Sequence, residues 1–230
     1  MSRPPLRQIL AAGELPRHRH AEGYLAVVLA GGYEEAGEGG RRRIGPGDVV
    51  AHGRFEAHLN RVRPAGAQVV NLPLPDGSLP AFGRIADPDA VVRAAERDPA
   101  EAAALVLAQH APRPPDAEGD WPDRLARALA EGPVRIGAWA RAHGLSPEHA
   151  ARGFRQAFGV GPLAFGREAR ARAAVADALA GELSLAEIAL ARGFSDQAHL
   201  TRAVAALSGR PPGAWRRSNP FKTREPARSM

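Results

Sequence analysis

The chain contains no cysteine, and Lys222 is the only lysine among its 31 basic residues. The first absence excludes disulfides, thiolate metal sites and cysteine nucleophiles together. The second makes the positive charge almost entirely guanidinium. Nowhere do about 18 apolar residues run uninterrupted, and no N-terminal segment joins a charged start to a long apolar core and a cleavage site. The expectation is a cytoplasmic protein with no membrane partner.

What is present suits an ordinary soluble chain: 230 residues, 44% hydrophobic, 24% charged, with a net charge of +6 at pH 7. That length accommodates two domains of about 100 residues, each with its own core. A basic excess suits a polyanion, and would suit an anionic membrane surface equally well. Its location is more telling. Residues 134–217 hold twelve arginines against six aspartates and glutamates, which matches the excess of the whole chain.

The chain changes character along its length. Residues 1 to about 75 show short apolar runs (Tyr24 to Leu29, Ile44, Asp48 to Ala51, Ala67 to Leu74) punctuated by Gly31-Gly32, Gly37 to Gly40, Gly45-Pro46-Gly47 and Pro73 to Gly77. This spacing predicts a small sandwich or barrel. Between Asp87 and His110, two Ala-rich segments each open with Asp-Pro, which predicts two short capped helices. They can pack on the β region or on another copy of the chain; the sequence leaves both open. APRPPDAEGD (111–120) reads as a stiff linker. Trp121 to Glu131 reads as a helix, and the polar tail 218–230 as flexible.

Residues 134–217 carry one helical design twice. VRIGAWARAHGLSPEHAARGFRQAF supplies a short helix, a turn at Gly144 and a second helix opened by Ser146 and Pro147. LSLAEIALARGFSDQAHLTRAVAAL supplies a helix from Ser184, a turn at Gly193 and a second helix opened by Ser195 and Asp196. Pro162 starts an intervening helix of about 19 residues, or about 28 Å. That is close to the roughly 34 Å turn of B-DNA, so one chain could address two successive major grooves.

Residues 121–217 resemble the DNA-binding domain of the AraC/XylS family of bacterial transcription regulators. The likeness rests on AEIALARGFSDQAHLTR and the closing GRPPGAWRR, and more loosely on GLSPEHAARGFRQAFGVGP (144–162). By position it implies base-edge contacts at Glu148, Ala151 and Arg152 in the first reading helix and at Gln197, Ala198, Thr201 and Arg202 in the second. Ser146, Arg155, Ser195 and Asp196 are expected as phosphate contacts or helix caps. Arginine can grip guanine with two hydrogen bonds and glutamine can grip adenine, so Arg152, Gln197 and Arg202 lead this set. Arg155, Arg167, Arg170 and Arg172 suit a solvated or phosphate-positioning role as well as they suit base reading. The chain departs from the family pattern at Ala150 and Gly153, where a large apolar residue is usual, and at Val204, where an aromatic is typical. A less rigid first unit is expected.

In the β region, His18 and His20 alternate as strand neighbours on one face, and His58 can approach from another strand. Three imidazoles would suit Zn, Fe, Ni or Cu. LPRHRH and IGPGDVVAHGRFEAHLN resemble the two motifs of a cupin barrel, a fold found as the sensor half of AraC-type regulators. Metal-binding cupins carry a glutamate four or five positions after the second histidine, where this chain has Tyr24 and Leu25; Glu22 comes too early. The expectation is therefore an α+β chain: a cupin-like sensor or dimerisation domain (1–110), a linker (111–120), a double helix-turn-helix domain (121–217) and a tail (218–230). It implies a regulator of promoter DNA controlled by a small-molecule or metal effector, with RNA polymerase and a second copy as further partners. The competing class is a metal-dependent cupin enzyme with a helical assembly domain.

Overall fold

The computed structural model describes residues 3–75, 80–113 and 119–218. Most of the expected tail, and the middle of the expected linker, lie outside these residues.

Eight strands form one antiparallel sheet: β1 (Arg7–Leu10), β2 (Gly13–Arg19), β3 (Tyr24–Gly37), β4 (Gly40–Ile44), β5 (Asp48–His52), β6 (Ala57–Pro73), β7 (Phe82–Arg84) and β8 (Ala111–Pro112). Two of them are long, β3 with 14 residues and β6 with 17, and they pair along most of their length. The pairing slips between Val28 and Ala30 and again between Gly31 and Tyr33. Gly31 adopts φ 68°, and an added Cβ would stand 2.0 Å from the Gly66 carbonyl, so only glycine fits this bend. Beyond it, β3 exchanges β5 for β4 as its second neighbour. The expected β region is thus one antiparallel sheet with an irregular bend in its central strand pair. Among the described residues its pairings run as a path from β1 to β8, not round a ring.

The Ala-rich helices α1 (Pro88–Arg97) and α2 (Pro99–Gln109) begin as their Asp-Pro pairs predict, with Asp87 and Asp98 accepting from the amides of Ala90 and Ala100. Val91, Ala94, Ala102 and Val106 pack against Val27, Val49, Val70 and Leu72 of the sheet, which decides between the two placements left open by the sequence. The expected linker starts inside the sheet: Ala111 and Pro112 pair with β7, and Arg113 binds Asp48 at 3.2 Å. A proline can occupy this position because β8 is an edge strand, where no ladder amide is required of it.

Seven helices follow: α3 (Trp121–Glu131), α4 (Ile136–Ala142), α5 (Pro147–Phe158), α6 (Pro162–Ala180), α7 (Leu185–Ala191), α8 (Gln197–Ser208) and α9 (Pro212–Arg217). Each helix-turn-helix unit turns on a glycine of nearly equal φ, 69° at Gly144 and 68° at Gly193. The amide after each glycine reaches back to a matching carbonyl, Leu145 to Ala140 at 2.9 Å and Phe194 to Ala189 at 2.8 Å. The two turns are near copies.

The first unit is not the thinned structure expected from Ala150 and Gly153. Phe154 and Phe158 stack at 4.6 Å, and Phe165 of α6 meets both rings edge-on. Trp121 of α3 fills the space beside Gly153, where an added Cβ would lie 2.7 Å from the indole Cζ2. Helix propensity alone would have Gly153→Ala stabilise by about 1 kcal/mol. The indole reverses that sign, and overpacking of this kind costs about 1–3 kcal/mol. A lower denaturation midpoint for Gly153→Ala is the expected outcome; a higher one would show that Trp121 yields.

The sheet and the helices share cores. Ala36 and Leu59 belong to the cluster around Phe154, Phe158 and Phe165. Phe55, on the turn between β5 and β6, belongs to the cluster of α6, α7 and α8, and its ring meets Trp215 at 5.6 Å. Phe55 holds φ 60°, a left-handed conformation rare for a bulky residue, and its burial among the helices offsets that strain.

Candidate nucleic-acid interface and histidine cavity

The outward residues of the two reading helices are arranged as their amphipathic patterns require. Phe154, Ala157 and Phe158 point α5 inward, which leaves Glu148, Arg152 and Arg155 exposed and Ala151 half-buried. Leu200, Val204 and Leu207 do the same for α8, leaving Gln197, Ala198 and Arg202 exposed and Thr201 half-buried. Val204 is completely buried, so the smaller side chain still serves the core.

The cap residues divide their roles. Ser146 accepts from the His149 amide at 3.1 Å, and Asp196 from the His199 amide at 2.6 Å. Ser195 is not the cap; its hydroxyl donates to Asp196 at 3.1 Å and so braces it. The Thr201 hydroxyl donates to the Gln197 carbonyl at 2.8 Å within its own helix. Of the arginines between the units, Arg167 is exposed, whereas Arg172 is turned to the sheet, where its Nε donates to Glu38 at 2.7 Å. Arg172 is thus tied to the sheet by an ion pair.

The second feature lies inside the sheet. Strand register sets His18 of β2 directly opposite His58 of β6, and their rings meet at 4.3 Å. Tyr24 of β3 stands opposite His52 of β5, stacked at 4.5 Å. His52 is in turn 4.3 Å from His58, and His20 lies 5.2 Å from His18. These side chains, with Tyr33, Asn60 and Asn71, line a cavity of about 360 Å³. The expected trio His18, His20 and His58 therefore does converge. His18 Nδ1 is 2.9 Å from the Pro16 carbonyl, an arrangement that leaves Nε2 turned to other partners. Glu22 is directed away, 3.6 Å from Arg3.

Sequence reasoning missed His52 and Glu35. His52 stands six residues before His58, and only the pairing of β5 with β3 brings it inward. Glu35, opposite Asn60 on β3, is buried with its Oε2 3.5 Å from His52 Nε2. Burial pushes the Glu35 carboxyl up to about 8, with Glu56 adding to the rise. Burial also pulls His52 down to about 3 and His58 well below its ordinary range. The cluster is therefore neutral near pH 7.

These shifts fix a pH dependence for the metal-free protein. Glu35 is raised from 4.5 to about 8, so the stability tied to its neutral form is complete below pH 4.5 and is lost as pH rises through 8. His52 is lowered from 6.5 to about 3, so its contribution is complete above pH 6.5 and is lost as pH falls toward 3. From pH 6.5 to 8 the His52 contribution is complete and the slope comes from the raised carboxyls, Glu35 together with the buried Glu56. Urea midpoints are expected to fall across that interval, by at most about 1.4 kcal/mol per pH unit for each group. Glu35→Gln flattens this limb; an unchanged slope in the variant would refute the assignment.

The two features are mechanically joined. On β2, Arg17 and Arg19 face away from the cavity, where Arg17 binds Glu168 of α6 at 3.1 Å and Arg19 approaches it at 4.0 Å. Arg61 of β6 donates to the Gln156 and Ala157 carbonyls at the end of α5, at 2.6 and 3.1 Å. Its positive charge suits a helix C-terminus.

A family described as "Helix-turn-helix domain" matches residues 139–218. Over 87 residues the chain is 42% identical to the HTH-type transcriptional regulator GlxA of Rhizobium meliloti (strain 1021). Residues 139–218 are a helix-turn-helix domain. The match to GlxA takes in 38% of this chain and spans only 27% of that regulator. Among solved structures, the C-terminal domain of AraT, a response regulator from Geobacillus stearothermophilus, overlays 50% of this chain and 94% of its own. Its TM-score is 0.41 and its sequence identity 20%. ToxT from Vibrio cholerae, in a fatty-acid-bound structure, overlays 98% of this chain and all of its own, at TM-score 0.43 and 9% identity. The helix-turn-helix domain contains α5 and α8, and hence every expected base-reading residue. Among the described residues, no helix is long and apolar enough to cross a membrane.

Proposed function

We propose that the chain is a sequence-specific regulator of transcription that binds double-stranded promoter DNA through α5 and α8 and responds to an effector held in the histidine cavity. One observation carries the reading: a helix-turn-helix domain whose two replicate units both leave the outer faces of their second helices to solvent. In this reading Arg152, Gln197 and Arg202 contact base edges, Glu148, Ala151 and Ala198 fit against them, and Arg155 holds phosphate. Thr201 offers its methyl group, because its hydroxyl is spent on the helix. Ser146 and Asp196 fix the helix starts, where amides also favour phosphate.

The effector, a small molecule or a metal ion bound by His18, His20 and His58, would act only by preferring one arrangement of sheet and helices over another. Strand β2 supports this coupling, since His18 and the adjoining His20 face the cavity while Arg17 and Arg19 hold α6. Contact with RNA polymerase and pairing with a second copy belong to the same reading, as does a cytoplasmic location. Selection of the full chain against random duplexes at near-physiological salt tests the core of it. Recovery of a shared sequence with two half-sites about one helical turn apart is expected. Recovery of no common sequence would sink the proposal.

A further inference from the structure

We propose that Glu35, His52 and His58 form a binding site for a divalent first-row transition-metal ion, deeper in the sheet than His18 and His20. The three residues come from three strands, β3, β5 and β6, and their donor atoms lie within 4.8 Å of one another. Two donors about 2.1 Å from one ion, at the tetrahedral angle, stand roughly 3.4 Å apart. Glu35 Oε2 and His52 Nε2 are already 3.5 Å apart.

Two of the atoms that would face such an ion are buried with no hydrogen-bond partner, Glu35 Oε2 and His58 Nδ1. Leaving one such atom unsatisfied costs about 1–3 kcal/mol, and two side by side in a folded core call for a shared partner. An ion supplies one. Tyr24 then orients the site, with its hydroxyl 3.4 Å from His58 Nε2 and its ring stacked on His52. Two imidazoles and a carboxylate suit Zn²⁺, Co²⁺, Fe²⁺ or Mn²⁺. His18 and His20 are half-buried, whereas Glu35, His52 and His58 are buried, so the outer pair stands on the way in. The proposal is independent of the DNA-binding reading, since it needs only the folded sheet.

Because His58 belongs to both the outer and the inner set, its variants cannot separate them. The discriminating experiment uses the full chain, produced without an affinity tag and stripped of metal. Co²⁺ is titrated by its visible absorption and Zn²⁺ by calorimetry. One ion per chain is expected. Changing an outer-shell partner typically costs roughly 10- to 100-fold in affinity, so loss of a ligand in Glu35→Gln or His52→Gln should exceed about 100-fold. His18→Ala and His20→Ala should stay well inside that range. Glu35→Gln is nearly isosteric and removes a buried carboxyl, and its melting transition in the metal-free state serves as the folding control. Three results would each overturn the proposal: no binding by the parent chain, equal loss in all four variants, or loss confined to His18→Ala and His20→Ala.

Discussion

Phe154→Ala is expected to lower the stability of the whole described chain by about 3–5 kcal/mol. Phe154 is fully buried and contacts two further phenyl rings, so truncation leaves a cavity at the centre of the cluster. The cluster also contains Ala36 and Leu59, so the damage reaches the sheet. Because the cores are shared, the midpoint should shift without a change in slope, and tryptophan fluorescence and far-ultraviolet dichroism should report the same transition. A loss below about 1 kcal/mol, or two separated transitions, would show that sheet and helices do not form one cooperative unit.

Arg202→Ala should weaken binding to the selected duplex by about 1–3 kcal/mol, roughly 5- to 150-fold, and relax preference at one base position. Arg202 is exposed on a helix whose start is fixed by Asp196. A guanidinium reading guanine carries its energy in two aligned hydrogen bonds, which alanine removes only where that base is present. A uniform loss on every duplex, with a salt slope shallower by about one, would instead identify Arg202 as a phosphate contact. Competition binding at several salt concentrations separates the two outcomes.

Much of the helical half could be read from the sequence, because its signals are local. Asp-Pro pairs, Ser146, Ser184, Gly144 and Gly193 each act within a turn of the residue that bears them, and α6 begins and ends at Pro162 and Ala180 as the apolar spacing requires. The role of Gly153 was not legible, since it depends on Trp121, which lies 32 residues earlier and is brought there by tertiary packing. The histidine site was half legible for the same reason. Alternation along one strand predicts that His18 and His20 agree in direction, but Glu35 and His52 enter only through the register of β3 with β5 and β6. Arg172 shows the converse: an arginine on a basic helix reads as a solvent or phosphate residue until Glu38 on a distant hairpin claims it.

Strand β2 gives the chain a phase. Its register against β6 shifts between Leu15 and His18, and this irregularity decides that even-numbered residues 18 and 20 face the cavity while odd-numbered 17 and 19 face α6. One extra residue before His18 could be absorbed at the bulge; one inserted between His18 and Arg19 would swap the faces of the residues after it, because strand periodicity is two. The His20 imidazole would then meet Glu168 and the Arg19 guanidinium would enter the cavity. The alternating Arg-His-Arg-His tetrad is therefore a reading frame in space, in which the cavity lining and the grip on α6 are interleaved and neither can drift without the other.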